Sequence, residues 1–153
     1  MPTKRKMEDL KLNIGCGPTI LDGWVNIDKF PMSDQVVVID LEKGKLPYKD
    51  NSVLEIRATH VLEHIWNLQP LLNECWRVLK PEGAMYVEVP CFPHPDCAKD
   101  PDHKRFFTAE TFWGYFDRYL AEGLFPMYGY KRWKVLNLTE SSSQINVLMK
   151  PAK

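Results

Sequence analysis

Short apolar runs separated by turn-forming residues set the pattern of this chain, and their period alternates between that of a strand and that of a helix. Residues 11–14, 24–27, 35–39 and 53–58 are compact apolar or β-branched runs bounded by Gly, Pro, Asp or Asn, which predicts four strands. The run 35–39 is continuously apolar, as in a strand buried on both faces. From Val61 the period changes. Val61, Ile65, Leu68, Leu72, Cys75 and Leu79 recur at four, three, four, three and four residues, the stripe of an amphipathic helix. Pro70 interrupts the stripe, so the pattern predicts a short turn and then a helix over 69–80. Pro81-Glu82-Gly83 ends it, and 84–89 alternates as a fifth strand.

Residues 91–104 are polar and proline-rich and read as a loop. Thr108 stands where an N-cap is wanted, with Glu110 and Thr111 behind it, which predicts a helix to about residue 119 or 120. Two last apolar runs, 133–138 and 144–149, predict an antiparallel pair about a turn at Ser141–Ser143. Strands and helices alternate, so the expected fold is α/β: a mostly parallel Rossmann-like sheet with an antiparallel edge. Several connections are too short for a helix, which predicts a minimal version with shortened crossovers.

The chain has 153 residues and a formal net charge of zero, which suits one domain over 11–153 behind a flexible basic leader over 1–10. Balanced charge gives no bulk attraction to nucleic acid or to an anionic membrane. No apolar run reaches 18 residues, so no membrane span is expected. Four cysteines without framework spacing imply reduced thiols and a cytoplasmic protein.

The candidate chemistry lies in Leu12 to Asp28, LNIGCGPTILDGWVNID. Gly15, Cys16 and Gly17 follow the first strand, where missing side chains let a ligand approach the backbone. Asp28 ends the second strand, where a carboxylate can accept from the two hydroxyls of a ribose. A pyrophosphate dinucleotide does not fit: Ile20 stands where a third glycine is wanted, and the acid arrives well before 20 residues. No G-K-[ST] follows for a P-loop. A nucleoside without phosphates remains, and S-adenosylmethionine (SAM) is the natural candidate.

Several pieces in order, LNIGCG, GWVNID, IDLEKGKLPYKDNSVLEIRATHVLEHI, ECWRVLKPEGAMYVEVP and DPDHKRFFTAETF, resemble the class I SAM-dependent methyltransferases, especially a small type-11-like branch. The resemblance covers about Leu12 to Phe112. It implies Gly15 and Gly17, with Cys16 between them, under the methionine part of SAM. It implies Asp28 on the ribose, Asp40 and Leu41 at the adenine edge, and His60 near the sulfonium and carboxylate. S-adenosylhomocysteine would be the product. The absent helix before the first strand, the missing first crossover helix and Ile20 depart from the pattern and bear on how tightly SAM is covered.

His103 and His64 compete as catalytic base. His64 follows His60 by four residues and can share a face with it; Asp102 is adjacent to His103 and can orient its ring. A sulfonium methyl is already activated, so in-line placement of an O, N or C nucleophile can supply most of the rate. Cys91, His94, Cys97 and His103 hold the donor inventory of a tetrahedral zinc site, although the spacing is tighter than in fingers, and no metal ligand is assigned. Lys104 and Arg105 offer a clamp for an anionic acceptor, against the simpler reading as a solvated loop. Residues 106–133 hold eleven of the eighteen aromatic residues, first as core and second as an acceptor pocket between loop 91–105, His64 and the aromatic helix. The expected activity is methyl transfer to a small-molecule acceptor, with a homodimer left open as the source of a lid. A non-catalytic SAM-binding regulatory or scaffold subunit is the alternative. A nucleotide-dependent oxidoreductase is disfavoured by the failed pyrophosphate fingerprint.

Overall fold

The computed structural model describes residues 10–153; the leader expected over 1–10 lies, except for Leu10, outside the described residues. Seven strands form one sheet: β1 (Leu10–Ile14), β2 (Val25–Asp28), β3 (Val36–Val38), β4 (Val53–Thr59), β5 (Leu79–Pro90), β6 (Trp133–Glu140) and β7 (Gln144–Pro151). Their spatial order is β3-β2-β1-β4-β5-β7-β6. β1 to β5 run parallel, and β7 is antiparallel to both β5 and β6. The chain winds outward from β1 toward β3 and then restarts at β4 on the other side. That reversal opens a crevice beyond the carboxyl ends of β1 and β4, where α/β sheets bind ligands.

The core is built on the strand residues that the alternating pattern points inward. Leu12, Ile14, Ile27, Val53, Ile56, Met85, Val87 and Val89 are all buried. One α-helix, α1 (Leu68–Val78), covers one face of the sheet with Leu68, Leu71, Leu72, Cys75 and Val78. Each such leucine contributes about 1.5–3 kcal/mol relative to its exposed state. Pro70 falls in the first turn of α1, where its missing N–H would have no partner in any case. A 3₁₀ turn, Leu62–His64, comes before the helix, as the interrupted stripe predicts.

Three elements differ from expectation. β3 is the sheet edge rather than a buried strand: Val36 is buried, but Val37 and Val38 are exposed. A continuous apolar run signals burial only when a crossover helix covers it, and the 29–35 connection has no room for one. β5 begins directly at Leu79 and absorbs Pro81-Glu82-Gly83. Val53 pairs with Leu79 and Glu55 with Ala84, so the extra residues are taken up as an irregularity of register. The aromatic helix exists but winds as a π-helix, Glu110–Tyr119. The Thr108 side chain does not cap it; instead the Thr111 hydroxyl accepts from the Thr108 N–H at 3.1 Å. The β6–β7 pair about Ser141 is as the sequence predicts. Among the described residues, no helix is long and apolar enough to cross a membrane.

Candidate functional site

A cavity of about 580 Å³ occupies the crevice, and Gly15, Asp28, Asp40, Leu41 and His60 all line it. Cys16 and Gly17 stand behind this lining. Cys16 is buried, its N–H donates to the Ile27 carbonyl at 2.9 Å, and burial, with Asp28 beside it, pushes its thiol pKa up. Gly17 acts through its backbone: its N–H donates to Asp28 Oδ2 at 2.9 Å. The Phe30 N–H donates to Asp28 Oδ1 at 2.9 Å. The two donors fix the plane of the carboxylate, and each oxygen keeps a lone pair for a ligand hydroxyl.

Gly15 is needed for a reason the sequence did not show. Its φ is +61°, and a Cβ there would lie 2.5 Å from Val61 Cγ2, so close packing of the segment after β4 requires glycine. Asp40 caps the 3₁₀ turn Leu41–Lys43, its Oδ1 accepting from the Glu42 N–H at 3.1 Å. That bond holds Asp40 and Leu41 at the rim near β3.

His60 adopts a left-handed backbone, with φ +54°, rare for a residue with a side chain and concentrated at functional positions. Its N–H donates to the Glu88 carbonyl at 2.9 Å, which carries the β4–β5 ladder one step past β4. Its ring lies between two acids: Nε2 is 3.0 Å from Glu88 Oε1, and Nδ1 is 3.4 Å from Glu63 Oε1.

The outer wall of the cavity is residues 61–67, strapped from both sides. Glu42 accepts from the N–H groups of Trp66 and Asn67 at 2.7 and 3.1 Å. Arg105 donates to the carbonyls of Ile65 and Trp66 at distances from 2.6 to 3.1 Å. Arg105 is therefore a strap and has no free fork for an anionic acceptor. Lys104 does line the cavity; its Nζ pairs with Asp102 at 2.8 Å and lies 5.4 Å from the centre of the exposed Trp66 ring.

The two candidate bases meet as a pair of rings, T-shaped, with centroids 4.8 Å apart. Asp102 orients His64, not its sequence neighbour His103: Oδ2 is 2.8 Å from His64 Nδ1. Lys104, and then His64, hold the Asp102 carboxyl down at a pKa of about 2. His103 donates through Nδ1 to the Cys97 carbonyl at 2.8 Å. Glu63 sits beside both rings, 1% exposed, and among the described residues neither of its carboxylate oxygens has a hydrogen-bond partner. Burial pushes its pKa up, and the neighbouring histidines oppose the rise.

A second cavity, of about 290 Å³, adjoins this cluster and runs from His60, Glu63 and His64 to Asp100, His103 and Gln144. None of the aromatic residues of 106–133 lines either cavity. Tyr115, Phe116, Phe125, Tyr128 and Tyr130 stack on one another instead, a packing role. The Cys91, His94, Cys97 and His103 set is not assembled as a ligand cluster. Burial, and then the bond its thiol donates to Glu140, lift the Cys91 pKa to about 11, and His94 Nδ1 accepts from the Asp96 N–H.

Sequence reasoning missed Glu42, Glu63 and Trp66. Their only signal was position, since each lies within two residues of a candidate already singled out.

Comparison with known proteins adds an independent line. Residues 19–87 match the family described as a methyltransferase domain. A probable SAM-dependent methyltransferase of Mycolicibacterium smegmatis is 33% identical over 78 residues, covering 46% of this chain and 30% of that protein. The aligned segment thus spans less than a third of that curated relative. Among solved structures, a SAM-dependent methyltransferase from Archaeoglobus fulgidus superposes with a TM-score of 0.60 at 16% identity, covering 93% of this chain and 86% of that one. The [4+2]-cyclase SpnF gives a TM-score of 0.64 at 16% identity, covering 95% and 76%. At such identities the structural likeness speaks for the fold alone. Residues 19–87 are thus similar to the methyltransferase-domain family, and the sheet order with its cleft at the strand reversal gives the chain a Rossmann-like class I methyltransferase fold.

Proposed function

We propose that the chain is a SAM-dependent methyltransferase that delivers a methyl group by in-line displacement to an O, N or C nucleophile of a small acceptor. The observation that carries the reading is the Asp28 carboxylate, aimed by the Gly17 and Phe30 N–H groups at the mouth of a cavity of about 580 Å³. A volume of that size suits a nucleoside cofactor, within the roughly 300–1,000 Å³ common for ligand sites. Asp28 would receive the ribose hydroxyls, Asp40 and the Leu41 backbone the adenine edge, and Gly15 and His60 the methionine end. SAM, when bound, supplies a methyl group already activated by its sulfonium. The protein's share is then to exclude water, hold the acceptor in line and accept its proton, for which His64, lining both cavities, and His103, lining the second, are the candidates.

Calorimetry with SAM and S-adenosylhomocysteine tests the cofactor; heat with both supports the reading, and heat with NAD alone overturns it. Incubation with labelled SAM and panels of small acceptors tests transfer. SpnF, a [4+2]-cyclase on the same fold, shows why the fold cannot stand in for that assay. SAM binding with no transfer to any acceptor class would favour a non-catalytic SAM-binding subunit.

A further inference from the structure

The buried Glu63 carboxylate has no explanation in methyl transfer. It is 1% exposed, and both oxygens lack a hydrogen-bond partner among the described residues. The Nδ1 of His60, 3.4 Å from Oε1, is too poorly directed to satisfy it. An unmet buried carboxylate is expensive, and proteins retain one where something else is meant to meet it.

Two further imidazoles, those of His64 and His103, stand beside it, their rings T-shaped. The Cys97 carbonyl can only accept, so His103 carries a proton on Nδ1, and its Nε2, 3.8 Å from Asp100 Oδ2, is the nitrogen left for an ion. The Asp102 carboxylate likewise takes the Nδ1 proton of His64 and leaves its Nε2 bare. A ligand imidazole whose other nitrogen donates to a carboxylate or carbonyl is the usual outer support of a metal-bound histidine. The ligand atoms of Glu63, His64 and His103 all lie within 4.8 Å of one another. Tetrahedral ligands about 2.1 Å from a shared ion stand about 3.4 Å apart, so modest side-chain rotation closes the gap.

We propose that Glu63, His64 and His103 form a divalent transition-metal site of two imidazoles and one carboxylate, with open positions facing the second cavity. Two nitrogens and one oxygen suit zinc, iron or cobalt better than magnesium or calcium, which prefer all-oxygen cages. The donor set is distinct from the cysteine and histidine spacing of loop 91–103. Three protein ligands leave room for a hydroxyl, carboxylate or amine of an acceptor, which the ion would hold beside the SAM cleft, since His64 lines both cavities. That last role rests on the methyltransferase reading. With the ion bound it replaces His64 and His103 as proton acceptors, the ion itself making the acceptor's proton easier to lose. The ion site does not rest on that reading.

Zn²⁺ alone is the probe, titrated by calorimetry into metal-stripped protein that carries no histidine tag. The expected result is one equivalent of Zn²⁺, weakened at least 10-fold in each of Glu63→Gln, His64→Ala and His103→Ala. Asp102 is mostly exposed, and among the described residues its side chain bonds to His64 and Lys104 alone. Asp102→Asn therefore keeps the fold and should still lower affinity by roughly 10- to 100-fold, the range for an outer partner of a ligand histidine. His94→Ala should change nothing. Failure to bind Zn²⁺, binding indifferent to His64→Ala and His103→Ala, or binding lost in His94→Ala would each overturn the site. SAM heat is measured on the same samples. Zn²⁺ binding with no SAM heat overturns the cofactor reading alone, and SAM heat with no Zn²⁺ binding overturns the ion site alone.

Discussion

Replacing Asp28 by Asn puts the ribose assignment at risk with the least steric change. In the native chain Oδ2 accepts from Gly17 and Oδ1 from Phe30, each at 2.9 Å. An amide has one oxygen and one NH₂, so it can keep only one of those bonds and must turn a donor toward the other N–H. Both donors are near the surface, so water can serve the one abandoned, and stability should fall by less than about 1 kcal/mol. The ligand has no such replacement. It loses one acceptor and the negative charge, and a hydrogen bond to a charged group contributes about 1.5–3 kcal/mol. At 1.4 kcal/mol per factor of ten, SAM and S-adenosylhomocysteine should bind about 10- to 140-fold more weakly. Calorimetry at fixed salt measures this, with circular dichroism and urea unfolding as controls for the fold. Native affinity in a folded D28N protein would refute the argument, and a loss seen instead in Asp40→Asn would move the ribose to the end of β3.

Gly15→Ala should destabilise by about 2–5 kcal/mol, combining a left-handed alanine with a Cβ forced onto Val61. Adding Val61→Ala should recover the packing part and leave the backbone part, which urea midpoints of both variants can read. Glu74 accepts from Arg77 Nε and Nη2 at 2.7 and 2.9 Å and from the Leu46 N–H at 2.8 Å, and the Arg77 bonds lead in holding its pKa below the usual carboxylate range. A lowered folded pKa gives stability that is present above the unfolded value and lost as pH falls through the folded one. Glu74→Gln should therefore cost about 1–3 kcal/mol at pH 7, with the difference from wild type shrinking below about pH 4. A gap that stays constant down to pH 3 would contradict the assignment. Glu42→Gln should keep one of the Trp66 and Asn67 N–H bonds at most, so protease cleavage within 61–67 should speed up while the sheet stays protected from hydrogen exchange.

The sheet was legible because its strands carry their own signal: Leu12, Ile14, Val87 and Val89 alternate or cluster whatever lies far away. Burial was less legible. Val37 and Val38 match an interior strand in composition, and their exposure depends on a crossover helix that the short connection leaves no room for. The carboxylate end of the site was readable for a similar reason, since Asp28 and Gly17 are only eleven residues apart and meet across two adjacent strands. The pairing of Asp102 was misread because adjacency in sequence was taken as adjacency in space. Neighbouring residues of an extended loop point apart, and Asp102 reaches His64, 38 positions away. Glu63 carried no sequence signal beyond its place next to His64. Its isolation is created when loop 94–103 folds over the 3₁₀ turn, fixed by the Lys104 N–H donating to the Glu63 carbonyl at 2.7 Å.

The short crossovers also explain how the cleft gets its outer wall. With no α-helix between β1 and β4, the amino-terminal half contributes only the floor and one rim. The wall must come from 61–67, a segment with one 3₁₀ turn and little internal hydrogen bonding of its own. Its exposed peptide groups are met instead by side chains of opposite charge arriving from opposite directions in sequence: Glu42 takes the N–H groups and Arg105 the carbonyls, both meeting at Trp66. A carboxylate can only accept and a guanidinium can only donate, so the two straps cannot exchange roles. Arg105 is thereby committed to structure, and Lys104 beside it faces the cavity, as Lys29 does from the other rim. The same loop that supplies Arg105 also supplies His103 and Asp102, so the wall strap and the Glu63, His64 and His103 cluster hang on one segment. Anything that frees residues 102–105 should loosen cleft and cluster together.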